Sequence, residues 1–261
     1  MSNVKGGAVV TGAARGIGRE LALGLLQDGF GVVIADVDPE VGGATVDELA
    51  KEFGGNILFA KADVTKRSEV ADAIAACRKA FGGINVMINN AGFNKPEPFL
   101  KASEDIWRAI MDVNALGVLI GTQEAAKAMI EDGTKGKIIN TASIAGRSGF
   151  PDFAPYSASK AAVISLTQAG ARALAVNGIT VNAFGPGVVD TPLWEKLDAD
   201  LLEMGASSAP GEAMAGLADA ILLGRVAKPA DVVGTVRFLW SPQSDYMTGQ
   251  VVLIDGGMVL Q

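Results

Sequence analysis

Short apolar runs rich in valine and isoleucine alternate with longer helical stretches from one end of this chain to the other, and that alternation constrains its fold more than any other feature. Seven runs read as strands: Ala8–Val10, Gly31–Ala35, Asn56–Ala60, Asn85–Ile88, Lys137–Asn140, Thr180–Ala183 and Val251–Ile254. Each is apolar almost throughout, so it needs cover on both faces, the condition of a parallel strand between two layers of helices. Asp38-Pro39 reads as a helix N-cap followed by proline in the first turn, and Lys228-Pro229 opens the last helix in the same way. No linker, repeat or low-complexity segment divides the 261 residues. Residues 1–261 therefore read as one α/β domain, a doubly wound seven-stranded parallel sheet with helices on both faces. One segment breaks the rhythm: about 190–225 is far longer than the dozen or so residues a crossover needs, and it reads as a substrate lid. Its Trp194, Leu197, Leu201, Leu202 and Met204 either close over a ligand or cover the body.

Composition removes whole classes of chemistry. A chain without histidine has no Ser-His-Asp triad, no His-ligated zinc and no proximal haem ligand, and no metal ligands are assigned. The single Cys77 has no disulfide partner within the chain, which fits a reducing, cytoplasmic setting; its recurrence with Val70, Ile74 and Phe81 marks the core face of a helix. With 22 basic against 29 acidic residues the chain carries a charge of −7, and adjacent basic pairs occur only at Lys66-Arg67 and Arg78-Lys79, so a nucleic-acid partner is disfavoured. The mean hydropathy of +0.31 raises the question of a membrane. The longest charge-free run, Ala173 to Val189, is interrupted by Asn177, Gly178, Asn182, Gly185, Pro186 and Gly187 and cannot span one. Lys5 with Ala8–Ala14 is too brief for a signal peptide and reads as a strand and its turn.

Directly after the first strand comes Thr11-Gly12-Ala13-Ala14-Arg15-Gly16-Ile17-Gly18, glycines spaced to make a tight turn and bring backbone amides to a pyrophosphate at a helix N-terminus. The spacing differs from the commoner Gly-x-Gly-x-x-Gly fingerprint. Asp36 closes the second strand, 18 positions after Gly18, where a carboxylate accepts hydrogen bonds from both adenosine ribose hydroxyls. The same carboxylate repels a 2′-phosphate, so the expected cofactor is NAD rather than NADP. Arg15 pulls the other way, since a basic residue in the turn attracts such a phosphate. Asp63-Val64 after the third strand and Asn89-Asn90-Ala91-Gly92 after the fourth lie at strand carboxyl ends, where open α/β sheets bind ligands. Asp63 is placed to meet the adenine amino group, the asparagines to tie strand ends together, and Ala91-Gly92 to admit the ribose; each also fits a simple Asx turn.

Tyr156 and Lys160 stand four apart, on one face of a helix. A phenol of ordinary pKa near 10 is a poor base at neutrality, and lowering it by about three units needs about 4 kcal/mol. One ammonium at about 4 Å in an effective dielectric near 20 supplies about that. The expectation is that Lys160 lowers the Tyr156 pKa and that, with no histidine available, the tyrosine carries the proton. Ser143 follows the fifth strand, thirteen residues before Tyr156, on the same edge as the glycine turn, where its hydroxyl can hold a substrate oxygen. Asn114 sits inside the helix after Trp107 and Ile110 and needs a partner, for which a water leading to Lys160 is a candidate.

These residues together resemble the short-chain dehydrogenase/reductase family from Ala8 to Gly257. Thr11–Gly18 matches its glycine turn, Asn89–Gly92 its Asn-Asn-Ala-Gly motif, and Asn114, Ser143, Tyr156 and Lys160 its catalytic tetrad. The resemblance implies a Rossmann-type fold and hydride transfer between NAD and a secondary alcohol or ketone. Pro186-Gly187 and Thr191 match the family's nicotinamide-binding stretch, where the resemblance implies that the Val189 backbone and Thr191 hold the carboxamide and that Lys160 also bonds the nicotinamide ribose. The resemblance implies a homotetramer through two long helices, for which Ala161 to Ala175 offers a surface. The tail from Asp245 to Met258 and Thr191-Pro192-Leu193-Trp194 are similar to polyol, sorbitol and 2,3-butanediol dehydrogenases, which points to a small polyol, sugar alcohol or vicinal diol walled by Trp194, Leu197, Leu201, Met204, Phe150 and Phe93. Two alternatives stay open on the residues: a 3-oxoacyl thioester reductase using NADPH, allowed by Arg15 and opposed by Asp36, and a silent dinucleotide sensor, opposed by the intact Ser143, Tyr156 and Lys160.

Overall fold

In the computed structural model, which describes residues 4–260, seven parallel strands run in the order β3-β2-β1-β4-β5-β6-β7. They are β1 (Gly7–Thr11), β2 (Gly31–Asp36), β3 (Ile57–Lys61), β4 (Val86–Asn89), β5 (Lys137–Thr141), β6 (Thr180–Pro186) and β7 (Val251–Ile254). All seven expected strands form, with no end moved by more than three residues. The helices are α1 (Gly16–Gln27), α2 (Pro39–Phe53), α3 (Arg67–Phe81), α4 (Glu104–Met111), α5 (Gly117–Glu131), α6 (Ala154–Leu174), α7 (Pro192–Glu203), α8 (Glu212–Ala218) and α9 (Pro229–Trp240).

Strand period and register divide the apolar residues between two cores. Val9 stands beside Val33 and Met87, Met87 beside Ile138, and Ile138 beside Val181, a continuous row on one face. That row packs on Val70, Ile74 and Cys77 of α3 and on Ile120, Ala125 and Met129 of α5. One residue along, Val10, Ile34 and Ile88 face the opposite way, onto Leu21 and Leu25 of α1, Leu49 of α2 and Val232, Val236 and Leu239 of α9. Cys77 is fully buried and its thiol is pushed up to about 12 by burial, so packing is its role here. The Asp38 carboxylate accepts from the Val41 amide as the cap of α2, and Asp231 accepts from the Lys228 amide at the start of α9.

The chain winds outward from β1 through β2 to β3 and then returns to place β4 on the other side of β1. The carboxyl ends of β1 and β4 therefore flank the switch point, the crevice where such sheets take their ligands.

Candidate active site

The turn after β1 is built for close approach. Gly12 and Gly16 hold φ of +62° and +58°, and a Cβ on Gly12 would come within 2.7 Å of the Ala91 backbone. A Cβ on Gly18 would stand 2.4 Å from the Gly12 carbonyl oxygen. Arg15 opens α1 without a side-chain cap, so the first-turn amides are left for an anion, which fits a pyrophosphate. Ile17 tucks into the core beneath the helix.

Asp36 sits where the sequence puts it and is held there. One carboxylate oxygen accepts from the Ala14 amide at 3.0 Å and the other from the Asp38 amide at 3.1 Å, which aims the group at the glycine turn. The Arg15 guanidinium, about half exposed, donates to the Asp38 carboxylate at 2.6 Å. Sequence reasoning treated Asp38 only as a helix cap and missed this second duty.

Several residues singled out for the cofactor also brace the site in this structure. The Asn90 amide group donates to the carbonyls of Thr11 and Gly12, both at 3.1 Å, and its oxygen accepts from the Thr141 hydroxyl, so it binds the glycine turn to the ends of β4 and β5. The Thr11 hydroxyl completes the tie by accepting from the Asn90 and Ala91 amides, each at 3.0 Å. Asp63 forms an Asx turn, accepting from the amide and hydroxyl of Thr65, and the Thr65 bond, aided by Lys66, holds its carboxyl below the ordinary value. The Val64 side chain is buried and packs over Gly117 at the head of α5.

At the carboxyl ends of β4 and β5 the tetrad residues converge. Lys160 is 3% exposed, and its ammonium donates to the Thr141 carbonyl at 2.7 Å. Its nitrogen lies 5.6 Å from the centre of the Tyr156 ring and would be 3.6 Å from a Cβ on Gly92. Burial pushes the Lys160 ammonium down to about 8. Ser143 caps the short turn after β5, accepting from the Ala145 amide at 3.1 Å, and its hydroxyl is near enough to the Tyr156 phenol to oppose the rise of its pKa.

One expectation needs correction. Lys160 does not lower the Tyr156 pKa in this structure. Burial of the partly exposed residue's phenol raises it, with only the Ser143 hydroxyl opposing. Asn114 is fully buried and its side chain is held by protein partners. It accepts from the Phe93 amide at 3.0 Å and donates to the Phe93 carbonyl at 2.9 Å and the Ser159 hydroxyl at 3.1 Å. The local cause is a π-helical turn over Asp112–Leu116, which interrupts the α4–α5 helix at this residue.

The other end of the groove comes from β6. Pro186 ends that strand, and its carbonyl receives a long 3.5 Å bond from the Ser143 hydroxyl. Gly187 donates to Ile254 at 3.0 Å, and a side chain there would press on Asp255. Val189 is buried and bridged to Ala227. Thr191 stands at the start of α7 without a side-chain cap bond and comes back beside the glycine turn, its methyl 3.5 Å from where a Gly16 Cβ would be. In the 190–225 segment Leu197 and Leu201 are buried, while Trp194, Leu202 and Met204 remain partly accessible.

Residues 7–202 match the model of the family described as short chain dehydrogenase. The chain is 42% identical over 253 residues to an L-2,3-butanediol dehydrogenase of Corynebacterium glutamicum, covering 97% of this chain and 98% of the relative. It is 40% identical over 252 residues to an (S)-acetoin-forming diacetyl reductase of Staphylococcus epidermidis, covering 97% and 98%. A solved sorbitol-6-phosphate 2-dehydrogenase from Erwinia amylovora superposes with a TM-score of 0.91 at 30% identity, over 97% of this chain and all of that one.

Proposed function

This chain belongs to the short-chain dehydrogenase family and is an oxidoreductase of the nicotinamide-dinucleotide class, and from that premise we propose that it moves a hydride between NAD and a small vicinal diol, polyol or the matching ketone. The observation that carries the reading is the meeting of Ser143, Tyr156 and Lys160 at the end of β5, beside a glycine turn on which Asp36 is clamped by two backbone amides. The preference for NAD rests on that carboxylate and on Asp38, which pairs with Arg15 and weakens the feature that favoured an NADPH-dependent thioester reductase.

When bound, the nicotinamide supplies the hydride donor and acceptor. Gly12, Gly16, Ile17 and Gly18 would take the pyrophosphate on backbone, Asp36 the adenosine ribose, Asp63 and Val64 the adenine side, Asn90, Ala91 and Gly92 the floor, and Pro186, Gly187, Val189 and Thr191 the nicotinamide end. Ser143 hydrogen-bonds the substrate oxygen. Tyr156, protonated at neutral pH because burial raises its pKa, gives its proton to that oxygen during ketone reduction and takes it back during alcohol oxidation. Asn114 fixes the Phe93 backbone beside this group. The lid at about 190–225, with residues 1–261 as one domain, walls the substrate through Trp194 and Met204.

The same reading includes a homotetramer. Within Ala161 to Ala175, residues Ala161, Ala169 and Ala173 are exposed, and a groove of about 540 Å³ runs between α5 and α6, lined by Leu119, Ile130, Leu166 and Leu174. It also places the enzyme in the cytoplasm, a setting that a lone buried thiol suits. The test is a panel of butane-2,3-diol, acetoin, sorbitol and galactitol with NAD(H) and NADP(H), read as NADH or NADPH absorbance. The reading expects turnover of at least one diol or polyol with NAD(H) ahead of NADP(H); a panel without turnover refutes it.

A further inference from the structure

We propose that Asn94 is a specificity-determining residue that hydrogen-bonds the oxygen next to the reacting carbon, so that the site selects vicinal diols and hydroxyketones over simple alcohols and ketones. The inference rests on the diol reading above and names the group that would impose it.

Asn94 is 6% exposed, and its side-chain oxygen is sealed from solvent without a hydrogen-bond partner. A buried amide oxygen in that condition is costly unless something else meets it, so each case asks for an explanation. Its surroundings supply one. The preceding residue, Phe93, is pinned by both its backbone amide and its carbonyl to Asn114. One residue earlier, Gly92 approaches the Lys160 ammonium so closely that a Cβ would sit 3.6 Å from it. Three residues later the Glu97 amide donates to the Asp152 carbonyl at 3.0 Å, four positions ahead of Tyr156. Consecutive Cα atoms are about 3.8 Å apart, so the Asn94 backbone lies within a few ångströms of the Asn114–Lys160 group and is stretched between two anchors on the catalytic elements.

The chemistry of the amide selects the ligand. It is neutral and offers both a donor and an acceptor, which suits a hydroxyl or a carbonyl oxygen and offers no charge to a phosphate or carboxylate. Two oxygens on adjacent carbons match two polar centres, Ser143 with Tyr156 for one and Asn94 for the other. A substrate with a single oxygen would leave the Asn94 amide unmet, and sites built around a substrate hydrogen bond discriminate strongly against analogues that lack the group.

The experiment compares acetoin with butan-2-one, which differ by the neighbouring hydroxyl, in the full-length enzyme with NADH. The variants are Asn94→Ala and the near-isosteric Asn94→Leu, the latter keeping the volume filled in case the alanine form folds poorly, and thermal melts accompany both. The wild type is expected to prefer acetoin by at least about tenfold in kcat/KM, about 1.4 kcal/mol. A folded variant should lose that preference through acetoin, with butan-2-one turnover held within about threefold. Equal losses on both ketones, or no loss on either, overturn the assignment of Asn94 while the diol reading stands. A wild type active on both without preference does the same. A wild type inactive on both overturns this assignment, and the wider diol and polyol panel then decides the reading it rests on.

Discussion

Removing the charge from Lys160 should stabilise the fold that it disables. The ammonium is 3% exposed and burial brings it from an ordinary 10.5 to about 8, whereas the unfolded chain keeps the ordinary value. Below pH 8 both states carry the proton and the folded state bears the whole desolvation penalty, about 3 kcal/mol for that gap. Between about 8 and 10.5 the folded chain has released the proton that the unfolded chain still holds, so stability rises with pH across this window and the penalty is gone above it. Lys160→Met removes the charge, fills the channel with a flexible apolar stem, and leaves the Thr141 carbonyl without its 2.7 Å donor. That lost bond offsets about 1 kcal/mol. The expected outcome at pH 7 is a variant more stable by about 2 kcal/mol, a Tm rise of about 4–8 °C, with turnover abolished. Urea melts of both proteins at pH 7 and pH 10, at one protein concentration, measure it: the advantage shrinks and then reverses as the pH rises. A variant less stable than the wild type at pH 7, by an amount that stays constant to pH 10, would refute the reasoning.

Three further outcomes follow from the site. Asp36→Ala should shift the NADP-to-NAD ratio of kcat/KM upward by about thirtyfold, since removing a partly screened carboxylate relieves about 2 kcal/mol of repulsion against a 2′-phosphate; an unmoved ratio rejects its role in cofactor choice. Tyr156→Phe should keep NAD affinity, read by quenching of tryptophan fluorescence, and lose about 10²–10⁴ in kcat, and near-normal turnover would remove it from the proton path. Asn90→Ala cuts the two bonds to the Thr11 and Gly12 carbonyls, so it should cost about 2 kcal/mol in a urea melt and raise the KM for NAD without changing the NAD-to-NADP preference.

The sheet was legible because its information is one-dimensional. A strand buried on both faces must be apolar along its length, and Val33, Met87, Ile138 and Val181 announce that without knowing their neighbours. Asp36 was legible for a similar reason: it is the last residue of a strand whose start and end the apolar run marks. Residues whose duty depends on a partner far along the chain gave no such sign. Asn90 looks the same in sequence whether it faces a cofactor or braces Thr11, seventy-nine residues away. Arg15 reads as a phosphate-seeking cation until Asp38 is found beside it, and Asn94 carries no pattern at all, being one polar residue in a loop.

The Tyr156–Lys160 pair shows where spacing stops being informative. Four residues on a helix guarantee a shared face, and that much holds, with the ammonium 5.6 Å from the ring centre. Spacing says nothing about how far both groups are withdrawn from water, and here desolvation decides the direction of each pKa: up for the phenol, down for the amine. The two shifts act together. A neutral phenol is ready to donate to a carbonyl oxygen, while an amine near 8 is close enough to neutrality for its charge to vary over a pH unit or two. Alcohol oxidation, which needs the phenol deprotonated, should therefore climb from pH 7 towards pH 9, and ketone reduction, which uses the protonated phenol as found, should not. Initial rates in both directions across that range, at saturating NAD or NADH, measure the difference. Parallel profiles would mean that the proton on Tyr156 is not what limits either direction, and the assignment of the buried phenol as acid and base would have to be abandoned.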